Sequence, residues 1–272
     1  MRDYIKIYLP LLFVVSLLSP NLIIGQDLTV KVGNRVIIKS MILNEEREIL
    51  VHLPDNYKES SKSYPVFYRL DGDINLMIET LATVNRLAYG DEIIPEMIIV
   101  LVKNTRRDKD MWPVNTRYYP EPEVPGAESF LSFIGEELIS YIDSNYRTSN
   151  KRIICGQSLS SVFVLYTFLQ QPGLFDSYIA ISGAFPGCGE YFKNLAAESL
   201  LQKNRFTGQK LFVSNGLKDP LDPDGEMHQQ IVDFSLLLNR ELGDKISLKY
   251  VPYKTEGHVP FPSLYDALQF IY

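Results

Sequence analysis

A serine hydroxyl attacks a carbonyl only where a base takes its proton, and one stretch of this 272-residue chain is patterned for that chemistry. Gly156-Gln157-Ser158-Leu159-Ser160 lies between the apolar run Arg152-Ile153-Ile154-Cys155 and the helix-like Ser161-Val162-Phe163-Val164-Leu165-Tyr166. A short buried strand, a sharp turn and a helix push the serine oxygen into the open, and small residues two positions either side let the turn close. About a hundred residues later comes Glu256-Gly257-His258, so a serine, an acid and a histidine are available in that chain order.

Of the three histidines, His52 precedes the serine in an early strand and reads as a side chain at a strand edge. His228 opens a predicted surface helix and reads as solvated. His258 follows the last predicted strand and is the candidate base. The acid that orients it should sit just past the strand ending at Val213-Ser214-Asn215. The loop from Gly216 to Glu226 supplies Asp219, Asp222, Asp224 and Glu226. Asp219, closest to the strand end, leads; Glu226 is the main rival and Asp222 the next. Acyl transfer also needs donors aimed at the developing oxyanion. The N–H of Leu159 is one, and the N–H of Asp73 or Gly72, after the strand Tyr64–Leu70, is the natural second.

The elements that must carry these residues can be read along the chain. Residues 27–54 alternate as antiparallel strands, and 64–70, 97–102, 177–182, 210–214 and 246–251 read as further strands. Helical spacing covers 76–87, 130–146 with Ser129 as its cap, the residues after Ser158, 226–241 and the chain from Ser263. Residues 104–127 read as a long irregular loop, which in a compact domain is more often functional than idle. Strands alternating with helices imply an α/β protein: a mostly parallel central sheet with antiparallel N-terminal strands and helices on both faces.

Composition sets outer bounds. The chain is 46% hydrophobic, enough for one well-filled domain over residues 26–272. Arg2 and Lys6 precede an apolar run from Leu9 to Leu18 that Pro10 and Pro20 bracket, too short to span a bilayer. Residues 1–25 therefore read as a signal peptide cleaved near Gly25, which implies a secreted or periplasmic protein without stable membrane insertion. The formal charge of −6 becomes −7 when Arg2, Lys6 and Asp3 are removed, and an acidic chain without a basic run is a poor nucleic-acid binder. Cys155, in the strand before the turn, reads as a free core thiol in preference to a disulfide with Cys188. No Cys/His spacing suits zinc. Asp222-x-Asp224-Gly225 has part of a calcium-loop pattern, but Pro220 and Ile231 stand where ligands are needed. Neither a metal nor a cofactor is expected.

The chain resembles the putative-esterase branch of the α/β-hydrolases, which includes S-formylglutathione hydrolases, enterochelin esterases, feruloyl and acetyl-xylan esterases and the mycolyltransferases. Tyr64-Pro65-Val66-Phe67-Tyr68-Arg69-Leu70-Asp71-Gly72, Asn104 to Asp110, Glu137-Leu138 through Tyr146-Arg147-Thr148, Gly156 to Ser160, and Glu256-Gly257-His258 through Leu268 carry the likeness, over about residues 40–272. It is most similar to the bacterial enterochelin-esterase-like group. The resemblance implies an α/β-hydrolase fold, Ser158 as nucleophile, His258 as base and oxyanion donors at Leu159 and Asp73. Two departures stand out. The family usually has glycine where this chain has Ser160, and often a second glycine where it has Ser161, and the stretch after His258 passes straight to Val259-Pro260. Some siderophore esterases work with a Ser–His pair alone, so the resemblance leaves the acid open.

Asn104, Arg106, Arg107, Trp112 and Arg117 share the long loop expected to overhang the site. Arginines beside an aromatic suit an acidic or aromatic acyl group, such as a catecholate or hydroxycinnamate, and mark Arg107 and Trp112 as substrate-binding candidates. The alternative is a solvated loop with Trp112 packed as an anchor. The expected function is hydrolysis of a small-molecule or glycan-linked ester through an acyl-enzyme on Ser158. Transfer of the acyl group to an alcohol by the same residues, and a silent binding protein on the same scaffold, are the rival readings.

Overall fold

A computed structural model describes residues 30–121 and 123–272; the segment read as a signal peptide lies outside the described residues. Eight strands form one sheet in the order β1-β2-β4-β3-β5-β6-β7-β8. The first two, β1 (Asn34–Ser40) and β2 (Glu45–His52), pair antiparallel, and β2 runs antiparallel to β4 (Ile98–Val102). From β4 onward every pairing is parallel, through β3 (Tyr64–Arg69), β5 (Thr148–Gln157), β6 (Ser177–Ile181), β7 (Lys210–Gly216) and β8 (Ser247–Tyr253). This is the expected α/β-hydrolase architecture.

Burial follows strand position. β2 alternates, with Arg47, Ile49 and Val51 inward, as a strand with one covered face must. β4 and β6 are buried at every residue because helices lie on both sides of them. On one face α1 (Ile74–Asn85) and α8 (Ser263–Ile271) cover Phe67, Ile99, Ile153, Ile179 and Phe212. On the other, a core rich in phenylalanine lies under α5 (Leu159–Gln170), α6 (Gly189–Leu200), α7 (Glu226–Leu242) and a long helical stretch that starts at Ala127. Helix α5 is buried from Ser160 to Leu169, so the helix after Ser158 is the central pillar of that face.

Four expectations need correction. The loop 104–127 contains a short helix, α2 (Arg107–Met111). The helix expected over 130–146 is α3 (Ala127–Ser132), a π-helical stretch (Phe133–Leu138) and α4 (Ile139–Asn145) in succession. Ser129 is not its cap: the start is set at Gly126 and Ala127, whose N–H groups bond the carbonyls of Lys109 and Trp112, tying it to α2. Helix α6 was not anticipated at all, although Phe192, Leu195, Ala196 and Ser199 repeat at i, i+3, i+4 and i+7. Among the described residues no helix is long and apolar enough to cross a membrane.

The C-terminal ends of the parallel strands gather the loops of interest, where ligands settle in open α/β sheets. The loops after β7 and β8 are joined there by backbone hydrogen bonds, Leu217 N–H to the Tyr253 carbonyl and Lys218 N–H to the Glu256 carbonyl, both at 2.9 Å. Gly216 makes this possible, since a Cβ on it would lie 1.9 Å from the Gly257 oxygen. Gly216→Ala should therefore destabilise the protein by roughly 1–3 kcal/mol, the usual range for overpacking. Thermal denaturation should show a loss of several degrees, at about 2–4 °C per kcal/mol for a domain of this size. An unchanged melting temperature would mean that the two loops are not held this closely.

Candidate active site

Ser158 occupies the turn between β5 and α5 with φ 54° and ψ −126°. A positive φ crowds the Cβ of an L-residue and costs of order 1–3 kcal/mol, so the surroundings must impose it. Here the Ser158 N–H bonds the Ile181 carbonyl of β6 at 2.9 Å. Its own carbonyl accepts the Ser161 N–H at 2.9 Å and the Ser161 hydroxyl at 2.5 Å. Gly156 is the residue that lets the turn close, because a Cβ there would stand 2.4 Å from the Ser160 oxygen.

The oxygen that this turn exposes meets His258. Ser158 Oγ lies 2.8 Å from His258 Nε2, and His258 Nδ1 lies 2.6 Å from Asp219 Oδ2. An ionised carboxylate only accepts, so Nδ1 carries a proton; in the neutral ring Nε2 is then the acceptor and Ser158 donates to it. The second Asp219 oxygen accepts the Leu221 N–H at 2.8 Å, fixing the carboxylate. Asp219 is thus the loop carboxylate that reaches His258. Asp222 instead accepts the N–H groups of Met227 and His228 and caps the start of α7, and among the described residues the Glu226 carboxylate accepts only a long 3.4 Å contact from Gln230. His52 bonds the Val32 carbonyl, just before β1, at 3.1 Å. His228 is not the solvated residue expected: it is half-buried, with Nδ1 3.0 Å from the Tyr250 hydroxyl and 3.1 Å from the Asn215 amide.

A second serine supports this geometry and escaped the reading of the sequence. Ser182, at the end of β6, also has a positive φ, of 55°. Its N–H bonds the Ser214 carbonyl of β7 at 2.7 Å, and its hydroxyl donates to the carbonyl of His258 itself. A serine at a strand end carries no distinguishing signal, so only the three-dimensional arrangement reveals it.

Turning to the two oxyanion candidates, Leu159 is the first residue of α5, and its N–H has no partner within the helix. Asp73 caps α1, with its side chain accepting the Leu76 N–H at 2.9 Å. Neither Leu159 N–H nor Asp73 N–H has an acceptor among the described residues. Gly72, the alternative donor, is occupied: its N–H bonds the Val102 carbonyl at 2.8 Å.

Next to Ser158 lies a cavity of about 310 Å³ lined by Trp112, Tyr118, Leu159, Val162, Ser182, Ala184, Pro186, Leu221, Met227 and Asp108 as well as His258. Trp112, which is 3% exposed, forms part of this wall as an anchored side chain. Arg107 does not line it. Its Nε and Nη2 hold the two oxygens of Asp71 at 2.6 and 2.8 Å, so the charge expected to face substrate is neutralised beneath the turn. Arg106 pairs with Glu123, and Arg117 lies over the Tyr118 ring. Asp108, an acidic residue, is among the residues that line the cavity with His258.

Cys155 and Cys188 are free and buried, and burial pushes their thiols up to about 11 and about 12 respectively. Both stay protonated and unreactive at neutral pH. Among the described residues no group of three His, Cys, Asp or Glu side chains is placed to hold a metal.

Residues 40–251 match the model of the family described as "Putative esterase". The ferri-bacillibactin esterase BesA of Bacillus subtilis (strain 168) is 34% identical over 135 residues, which are 43% of this chain and 46% of that protein. The match therefore spans less than half of that relative's length. The structure of an IroE-like serine hydrolase from Shewanella oneidensis superposes with a TM-score of 0.78 at 25% identity, covering 87% of this chain and 79% of that one. The siderophore hydrolase EstA of Aspergillus nidulans shares the fold, with a TM-score of 0.74, 19% identity and coverage of 88% and 93%.

The site also makes a prediction about acid stability. Burial alone would raise the Asp71 carboxyl, but the hydrogen bonds and charge of Arg107, with those of Asn104 and Ser160, outweigh it and hold the group below its ordinary 3.8. A carboxyl depressed on folding contributes stability above its unfolded value, and that contribution is lost as pH falls through the folded value. Asp71→Asn should therefore lower stability at pH 7 by roughly 1.5–3 kcal/mol, the range for hydrogen bonds to a charged group. Urea denaturation should show the gap to wild type narrowing below about pH 4. A gap that is constant down to pH 2 would show that Asp71 is not held ionised by these partners.

Proposed function

The chain belongs to the putative esterase family, and from that premise we propose that it hydrolyses carboxylic esters through an acyl-enzyme on Ser158. The observation that carries this reading is the unbroken hydrogen-bonded series from Asp219 through His258 to Ser158, at 2.6 and 2.8 Å. In the proposed reaction Ser158 Oγ attacks the ester carbonyl while its proton passes to His258 Nε2. The Asp219 carboxylate holds the ring in the productive tautomer and stabilises the imidazolium that forms. Negative charge gathers on the carbonyl oxygen, and the unpaired N–H groups of Leu159 and Asp73 are its proposed donors. Collapse breaks the ester bond, and His258 returns the proton to the departing alcohol. A water molecule, deprotonated by the same histidine, then releases the acid and restores Ser158.

The apolar wall of Trp112, Val162, Leu221 and Met227 suits an acyl or alcohol portion of small-molecule size. BesA is described as a ferri-bacillibactin esterase and EstA as a siderophore hydrolase, so a compact small-molecule ester is the proposed substrate class, with a glycan-linked ester as the alternative. Because Arg107 is occupied by Asp71 and Asp108 is among the lining residues, an uncharged group fits this pocket better than an anionic one. Export follows from the signal-like pattern of residues 1–25, and a secreted or periplasmic location is proposed with it.

Kinetics with a p-nitrophenyl acyl ester test the assignment. Ser158→Ala should lower turnover by at least about a thousandfold. Asp219→Asn should cost far more than Asp222→Asn or Glu226→Gln, because the amide keeps the shape but cannot stabilise an imidazolium. If the alanine variant keeps more than about a tenth of wild-type turnover, Ser158 is not the nucleophile. If the three loop variants lose activity equally and slightly, the site works as a Ser–His pair.

A further inference from the structure

Two residues beyond Ser158, the hydroxyl of Ser160 is completely buried and sits at a junction of three segments. It accepts the Gln157 N–H at 2.7 Å and faces two acceptors, Asp71 Oδ2 at 2.7 Å and the Gln157 carbonyl at 2.9 Å. A hydroxyl has one proton to give, and the ionised Asp71 is the closer and stronger acceptor.

Asp71 is itself constrained. It follows β3 in a positive-φ conformation, at 57°, and its two oxygens are filled. Asn104 and Arg107 Nε donate to Oδ1 at 2.7 and 2.6 Å, and Arg107 Nη2 and Ser160 donate to Oδ2 at 2.8 and 2.7 Å. Arg107 Nη2 also reaches the Gln157 carbonyl at 3.3 Å. From the opposite side the buried Arg69 donates to the Gln157 side-chain oxygen at 2.9 Å. Gln157, directly before Ser158, is therefore gripped at its N–H, its carbonyl and its side chain. The same cluster joins the turn after β5, which carries Leu159, to the turn after β3, which carries Asp73, and to the loop after β4.

We propose that the Ser160–Asp71 hydrogen bond is a positioning device: it sets the spacing between the two oxyanion donors, Leu159 N–H and Asp73 N–H, and the nucleophile. This rests on the reading of Ser158 given above. Ser160 and Asp71 are positioning residues, since neither lines the cavity beside Ser158. The two donors lie on the turns after the paired strands β3 and β5, whose ladder ends at the Leu70 N–H to Cys155 carbonyl bond, and beyond that point the Ser160–Asp71 contact joins the two turns. Donors aimed at an oxyanion act more strongly on the transition state than on bound substrate. A displacement near 1 Å at a reacting centre costs on the order of a hundredfold in rate. Loosening the cross-link should therefore fall on kcat and leave KM alone.

A double-mutant cycle on hydrolysis of p-nitrophenyl acetate tests this, with Ser158→Ala as the control and a melting curve for each variant. Ser160→Ala should lower kcat by about ten- to a hundredfold with KM within about twofold. Asp71→Asn, which also weakens the contacts of Arg107 and Asn104, should lower kcat at least as much, and the double variant should be no worse than Asp71→Asn alone, because the charge-assisted Ser160–Asp71 bond is already gone in it. Should the alanine variant not fold, Ser160→Gly carries the same expectation. The proposal is overturned if kcat stays within about twofold of wild type, if the loss appears in KM, or if the two substitutions multiply. Residual activity in Ser158→Ala would instead overturn the nucleophile itself, so the two failures are distinguishable.

Discussion

An L-residue at φ 54° crowds its own backbone, and the chain around Ser158 leaves that residue no other conformation. Its N–H is taken by β6, its carbonyl by the N–H and hydroxyl of Ser161, and Gly156 removes the one side chain that would prevent closure. Helix α5 follows at once and is buried along ten consecutive residues, so the turn cannot relax by moving the helix without dismantling the core of that face. Strain at one serine is thus sustained by the packing of the whole domain. What the strain achieves is exposure: the hydroxyl oxygen faces His258, and the N–H of Leu159 has no partner in the helix it begins.

The rest of the site depends on loops from separate strands meeting at one edge of the sheet. The parallel order from β3 to β8 brings the ends of these strands side by side, but adjacency of strands does not by itself fix a side chain to within a hydrogen bond. Small cross-links do that. Gly216 lets the acid-bearing loop touch the histidine-bearing loop, and the Ser182 hydroxyl holds the carbonyl of His258 from a third strand. Asp71, bound by Arg107, Asn104 and Ser160, ties the loops after β3 and β4 to the Ser158 turn. Gly216, Ser182 and Ser160 are buried and Asp71 and Arg107 half-buried, while most of the side chains that line the cavity are apolar.

The fold was legible because its signals are local and strong. Fully apolar strands such as Ile98–Val102, the small residues around Ser158 and the periodic helices each declare themselves within a dozen residues. Asp219 could be ranked first from its closeness to a strand end, and the structure brings that carboxylate to His258 while Asp222 caps a helix. What could not be read is pairing between distant residues. Arg107 looked like a substrate ligand because its partner, Asp71, lies 36 positions earlier on another loop. Ser160 looked like a departure from a small-residue pattern, whereas its hydroxyl has a carboxylate 89 positions away to bind. Helix α6 is hard to read in the sequence because the glycines and proline just before it mark a loop and mask the apolar spacing that follows.

The central claim is a covalent one: that a bond forms between substrate and Ser158 with His258 as the base. Rapid acid quench during the first turnover of a p-nitrophenyl ester, followed by mass spectrometry of the digested protein, tests it directly. One acyl group per chain is expected, carried on the peptide that contains Ser158, and none when His258 is replaced by alanine. An acyl group found on another residue, or on Ser158 undiminished in the absence of His258, would contradict it.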